Sequence, residues 1–172
     1  MAIKKVDELI KSGADIIDVG GESTRPGAIA VSQQEELDRV IPVVESIVDR
    51  FGASVSVDTS SPIVINESAR VGAVMINDVR ALTRVGAIQA VAASGLNICL
   101  MHMAGEPRDM QITPSYTDVF AEVRTFIREY LVSGKIIIKD LPSEKKSTQE
   151  NKVDEPKIEL EGIEAQIVDI LD

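Results

Sequence analysis

The chain has 172 residues, 44% of them hydrophobic and 27% charged, with a formal net charge of −10. That is enough apolar material for a buried core and rules out the composition of a disordered chain. An acidic chain with no cluster of Lys and Arg excludes nucleic acid as a general partner.

The opening "MAIKKVDELIKSG" spaces apolar residues as a helix and lacks the continuous apolar core of a signal peptide. No segment offers the 18 or so uncharged apolar residues of a membrane span, so no membrane association is expected. Cys99 stands alone, which excludes a disulfide framework, fits a reducing cytoplasm, and in its apolar run reads as a buried, inert thiol.

Four times the chain runs from a helix-like stretch through a glycine into a short apolar run ending in polar side chains. These are "SGADIIDVGG", "FGASVSVDTS", "VGAVMINDVR" and "SGLNICLMHM", with the glycines at Gly13, Gly52, Gly72 and Gly95. Glycine just past a helix end takes the left-handed conformation freely, and the Ile- and Val-rich runs read as strands buried on both faces. Between them, Ser32 with Glu35 forms a capping box before "ELDRVIPVVESIVDRF", in which Pro42 predicts a kink or a short opening turn. Pro62, after Ser60 and Ser61, opens the next helix.

Alternating helices and strands on short loops predict a parallel sheet with right-handed crossovers. Polar residues at four successive strand ends, and the lack of a G-x-G-x-x-G or P-loop pattern, favour a barrel mouth over an open doubly wound sheet. A closed (β/α)8 barrel needs roughly 250 residues. The predicted fold is therefore α/β, a partial TIM (β/α)8 barrel of about four βα units over residues 1–134. Residues 135–172 read as a divergent tail: 139–157 form a charged, solvated linker, and "IELEGIEAQIVDILD" spaces Ile163, Ile167 and Leu171 as a possible terminal helix.

Each polar residue carries two readings. Asp58 at the end of "VSVD" suits either a ring amine of a ligand or a structural Arg partner. Asn77 suits the amide-like edge of a heterocycle or the cap of a turn. His102, the single histidine, cannot by itself supply a multi-histidine metal site and reads as a satisfied barrel residue; Met101 and Met103 read as soft packing walls, and Arg108 as a solvated loop charge. In "DVGGESTRPG", Gly20 and Gly21 free the backbone, Ser23 and Thr24 bring hydroxyls, and Arg25 brings a donor fork suited to phosphate or carboxylate, so the stretch is either a mobile loop over the mouth or a plain turn.

Taken in order, "DIIDVGGESTRPGA", "VSVDTS", "MINDVRAL" and "LMHMAGEPRDMQ" resemble dihydropteroate synthase, the pterin-binding barrel family of folate biosynthesis, across residues 6–127. Related methyltetrahydrofolate methyltransferases share the strand-end Asp and Asn, but the first motif and the ordered set point to the synthases. The resemblance implies condensation of 4-aminobenzoate with dihydropterin diphosphate, magnesium assisting the departure of diphosphate. It also implies that Asp58 and Asn77 hydrogen-bond the pterin, Val79 and Met101 wall it, and Ser23, Thr24 and Arg25 serve the diphosphate and 4-aminobenzoate region.

The family's metal-reaching Asn, in a first strand like "LNVTPDSFSDGG", has no counterpart in this sequence, nor do its later Asp strand, its "FGFGK"-like Lys or its Ser-x-Arg-x-His-like strand end. Ser61 stands where many relatives have Lys. The expectation is a pattern truncated at both ends, with catalysis impaired in this chain alone and with an apolar inner sheet face and open edges left for a second copy or a complementing fragment.

Overall fold

In the computed structural model, the described residues are 2–25, 29–103, 105, 106, 110, 115–132 and 165–169. Their order is α1 (Ala2–Lys11), β1 (Ile16–Gly20), α2 (Gln33–Phe51), β2 (Ser54–Asp58), α3 (Pro62–Arg70), β3 (Met75–Asp78), α4 (Ala87–Ser94), β4 (Asn97–Leu100), α5 (Val119–Val132) and β5 (Ala165–Asp169). All pairings are parallel, and the strands lie in the order β4-β3-β2-β1-β5, with β4 and β5 at the edges. The partial-barrel reading, four βα units in sequence order, is what the sheet shows.

The four unit glycines all carry positive φ, at 95°, 60°, 98° and 68° in chain order. Gly52 shows why: its N–H closes the last turn of α2 on the Val48 carbonyl while the chain reverses into β2. At the other end of α2, Ser32 Oγ accepts from the Glu35 N–H at 3.2 Å. The Glu35 carboxylate pairs with Arg39 one turn on, so the cap is built from Ser32's side of the box. Pro42 lies inside α2, which runs unbroken from Gln33 to Phe51, so no opening turn ends there. Pro62 occupies the first turn of α3, with Ser61 at the N-cap.

The centres of β1 and β2 are buried on both faces, whereas β3 alternates and β4 is partly exposed. Ile17, Val19, Val55, Val57 and Ile76 are fully buried against Val6, Val40, Val44, Ile47, Val64 and Ile65 from the helices. Since side chains alternate along a strand, Asp18, Ser56, Asp58, Asn77, Asn97 and Cys99 take the opposite, inner face. This corrects two expectations. The inner face is largely polar, and Cys99 is exposed because an apolar run buries only the positions that meet a helix.

A further correction concerns the end of the chain. Ala165–Asp169 is a strand paired with β1 in register from Ile16↔Ala165 to Gly20↔Asp169, where apolar spacing predicts a helix. "AQIVD" includes the β-branched pair Ile167 and Val168, and the unpaired backbone groups along β1 offer it a ladder that an isolated helix lacks. The linker predicted over 139–157 lies outside the described residues.

Candidate active site

The parallel register sets Gly20, Asp58, Asn77 and Cys99 side by side across β1 to β4, the first two ending their strands and the other two one residue short of the end. One row lower lie Asp18, Ser56, Met75 and Asn97. Gly20 keeps the space beside Asp58 open: a Cβ there would stand 3.5 Å from the Asp58 Cβ. The sequence-predicted pair Asp58 and Asn77 is thus neighbouring and on one face.

Asn77 does not cap a turn. Its Nδ2 donates to Asp18 Oδ2 at 3.1 Å, which fixes the plane of its amide, while its backbone carbonyl accepts from the Thr59 N–H at 3.1 Å. Asp18 is 5% exposed, and its Oδ1 has no hydrogen-bond partner among the described residues. A buried carboxylate oxygen left without a donor is costly and suits a site that expects a donor from a ligand. Sequence reading passed over Asp18; its signal was a carboxylate between Ile17 and Val19, which alternation sends inward beside Asp58.

Among the described residues Asp58 forms no ion pair with an Arg, and the cation that acts on it is Arg80. Burial, followed by the negative charges of Asp18, Asp78 and Glu36, pushes its carboxyl from 3.8 up to about 7, with Arg80 pulling it back. Glu36 is pushed upward too, by burial first, against the hydrogen bond that Thr59 Oγ1 donates to it. Asp58 and the partnerless Asp18 oxygen therefore present acceptors, and a planar ring carrying several N–H groups would supply the donors.

The turn after β3 is braced by Asp78, the last residue of that strand. Its Oδ1 accepts from Ser60 Oγ and from the Arg80 N–H, and its Oδ2 accepts from the Leu82 N–H at 2.8 Å. Those bonds hold Ala81 and Leu82 at φ of 49° and 59°, a left-handed pair that side chains with a Cβ adopt only under such constraint. Val79, at the start of this turn, is buried, and Met101 lies beyond the end of β4 at 36% exposure.

The loop after β1 leaves the sheet at Gly21, where a Cβ would meet Val40 Cγ2 at 2.8 Å; only glycine lets the backbone pass so near α2. Arg39 Nη1 donates to the Gly21 carbonyl at 2.9 Å. Ser23 and Thr24 are half-buried and Arg25 is exposed, with the Arg25 N–H reaching Ser23 Oγ at 3.4 Å. His102 packs edge-on against Phe126 of α5 with ring centres 4.8 Å apart, and tilted on Tyr116 at 5.7 Å. Arg108 lies outside the described residues.

The acidic side chains do not make a magnesium site. Among the described residues no group of three or more His, Cys, Asp or Glu is placed to hold a metal ion. Asp78 is engaged by Ser60 and two backbone N–H groups, and Asp18 by Asn77.

A parallel βα sheet that gathers polar side chains at the carboxyl ends of its strands is the layout of a barrel enzyme acting on a small molecule. The comparisons name which: the Pterin binding enzyme family matches residues 1–135, and the chain belongs to that family. It is 58% identical over 130 residues to the dihydropteroate synthase of Escherichia coli K12 and 47% identical over 128 residues to that of Haemophilus influenzae. These matches cover 76% and 74% of this chain and 46% of each relative, so the chain spans about half the length of the curated relatives it matches. Among solved structures it is similar to a Yersinia pestis dihydropteroate synthase in complex with a sulfonamide drug, at TM-score 0.72 and 50% identity, covering 74% of this chain and 46% of that one. A Xanthomonas albilineans dihydropteroate synthase with 4-aminobenzoic acid matches at TM-score 0.69 and 46% identity, covering 76% and 46%.

Proposed function

We propose that this chain carries the pterin-binding part of a cytoplasmic dihydropteroate synthase, with residues 1–134 as the working unit. The observation that supports this best is the row formed by Asp58 and Asn77 with the donor-starved Asp18 beneath it. Asp58 and the partnerless Asp18 oxygen accept from ring N–H groups of the pterin, the fixed Asn77 amide meets the ring's amide-like edge, and Val79 and Met101 border it. Ser23, Thr24 and Arg25 serve the diphosphate and 4-aminobenzoate.

In the reaction, the aniline nitrogen of 4-aminobenzoate attacks the methylene carbon of dihydropterin diphosphate, the carbon–oxygen bond to diphosphate breaks, and the new secondary amine gives up a proton. No enzymic nucleophile is called for, and the chain's share is positioning and charge. The magnesium ion that the resemblance implies finds no fitting donor set among the described residues, and no step is derived through it.

The chain alone is proposed to bind pterin and to condense it poorly. The open β4 edge, with Cys99 exposed on it, supports the second reading, a non-catalytic fragment that binds pterin weakly or associates through its sheet with another copy or a complementing fragment. A coupled assay with dihydropterin diphosphate, 4-aminobenzoate and magnesium, run beside size-exclusion chromatography, separates the two. Pterin binding with little turnover is the expected result, turnover of ordinary enzymic rate by a monomer overturns the impairment, and no pterin binding overturns the function.

A further inference from the structure

Arg80, just beyond β3, joins three loops through one guanidinium. Its Nη1 donates to Glu22 Oε2 at 3.1 Å and to Ser60 Oγ at 3.3 Å, its Nη2 lies 3.5 Å from Glu22 Oε1, and its Nε donates to Glu106 Oε2 at 3.2 Å. Glu22 follows β1, Ser60 follows β2 and Glu106 follows β4, so the ends of four successive strands meet on one side chain. The pair is not a surface accident: the side chains of Arg80 and Glu22 are 11% and 8% exposed, and Arg84 adds a second cation 3.8 Å from Glu22. Burial lowers the Arg80 pKa, but Glu22 and Glu106 outweigh it and hold the guanidinium above its ordinary value. Only a planar fork of five donors satisfies three loops at once.

Glu22 directly precedes Ser23, Thr24 and Arg25, and on its other side Gly21 is anchored by Arg39. We propose that Arg80 is a positioning residue that clasps the root of the β1 loop, setting where Thr24 and Arg25 stand over the pocket and tying that placement to the β2 and β4 loops. This rests on the assignment of the β1 loop to the diphosphate. Arg80 itself touches no substrate in this scheme; it acts through Glu22.

The test uses the full chain with Arg80→Gln and Arg80→Lys. In hydrogen exchange read by mass spectrometry, Arg80→Gln is expected to speed exchange of residues 22–25 at least tenfold while the amides of β1 to β4 stay within about twofold. Arg80→Lys, which keeps the charge and loses the fork, is expected to fall between. Unchanged protection of residues 22–25 overturns the clasp, and so does protection lost evenly across the sheet or failure of both variants to fold, either of which makes Arg80 a general support of the fold. Binding is read at pH 8.5 for every variant. Arg80→Gln is expected to weaken dihydropterin diphosphate about tenfold and a pterin lacking the diphosphate by no more than twofold; equal effects on the two ligands overturn the positioning role. Should the unaltered chain bind neither ligand, the pterin reading falls, and the exchange result alone decides the clasp.

Discussion

Replacing Asp58 by Asn is expected to make the empty protein more stable and the site useless. In the fold this carboxyl titrates at about 7 in place of 3.8. Below 3.8 the native and unfolded chains both hold the proton, so the group has no effect on stability. Between 3.8 and about 7 only the native chain holds it, and stability falls as pH rises, by about 1.4 kcal/mol per pH unit. Above about 7 the loss is complete, roughly 4 kcal/mol at the ceiling and about 2 kcal/mol where water at the pocket mouth screens the charge. Asn removes that slope because an amide carries no charge to desolvate. The chain has no Trp, so urea unfolding is followed by circular dichroism at pH 4.5 and pH 8. At pH 4.5 the variant should be the more stable by no more than about 1 kcal/mol and at pH 8 by about 2–4 kcal/mol, with pterin affinity reduced about 10- to 100-fold by loss of the charge-assisted bonds. A variant equally displaced at both pH values, or less stable at pH 8, refutes the reasoning.

Pterin binding by the unaltered chain should weaken about tenfold per pH unit from 7 down to 5, because Asp58 must lose its proton before it can accept from the ring; calorimetry in two buffers should register the released proton, and a flat profile contradicts the scheme. Asp18→Ala frees the Asn77 amide to rotate and removes the partnerless oxygen, and should cost about 1–2 kcal/mol of pterin affinity, read by fluorescence titration, with the fold retained. Gly21→Ala drives a methyl into Val40 and the Glu36 backbone, and should destabilise the chain by about 1–3 kcal/mol in the same urea assay; an unchanged midpoint would show that α2 yields there.

What the sequence discloses follows from local rules. The glycines at 13, 52, 72 and 95, the Ser32 cap and the Pro62 start each depend on a few neighbouring residues, and all of them fall where those rules put them. Asp58 and Asn77 were legible as a neighbouring pair because each lies at or next to the end of its strand and the parallel register brings strand ends level. The Asn77–Asp18 bond spans 59 positions and the Arg80–Glu22 pair 58, and nothing local marks either one. Cys99 was misjudged because apolar sequence reports what a strand can bury and not which face a helix covers. The closing strand was misjudged because Ile163, Ile167 and Leu171 fit a helical period while the open ladder of β1, a partner far away in sequence, decides the outcome.

The division of labour between the two faces of β1 to β4 has a wider consequence. In β1 to β3 the oily side is already shielded by helices close by in the chain, and what these strands turn toward the centre is mostly polar. A barrel assembled this way can be interrupted between two strands at the expense of backbone amides that water readily serves, leaving the greasy layer sealed. Gain or loss of whole strand-and-helix units then becomes a survivable event for the chain, and partial assemblies have a route to persist as folded molecules.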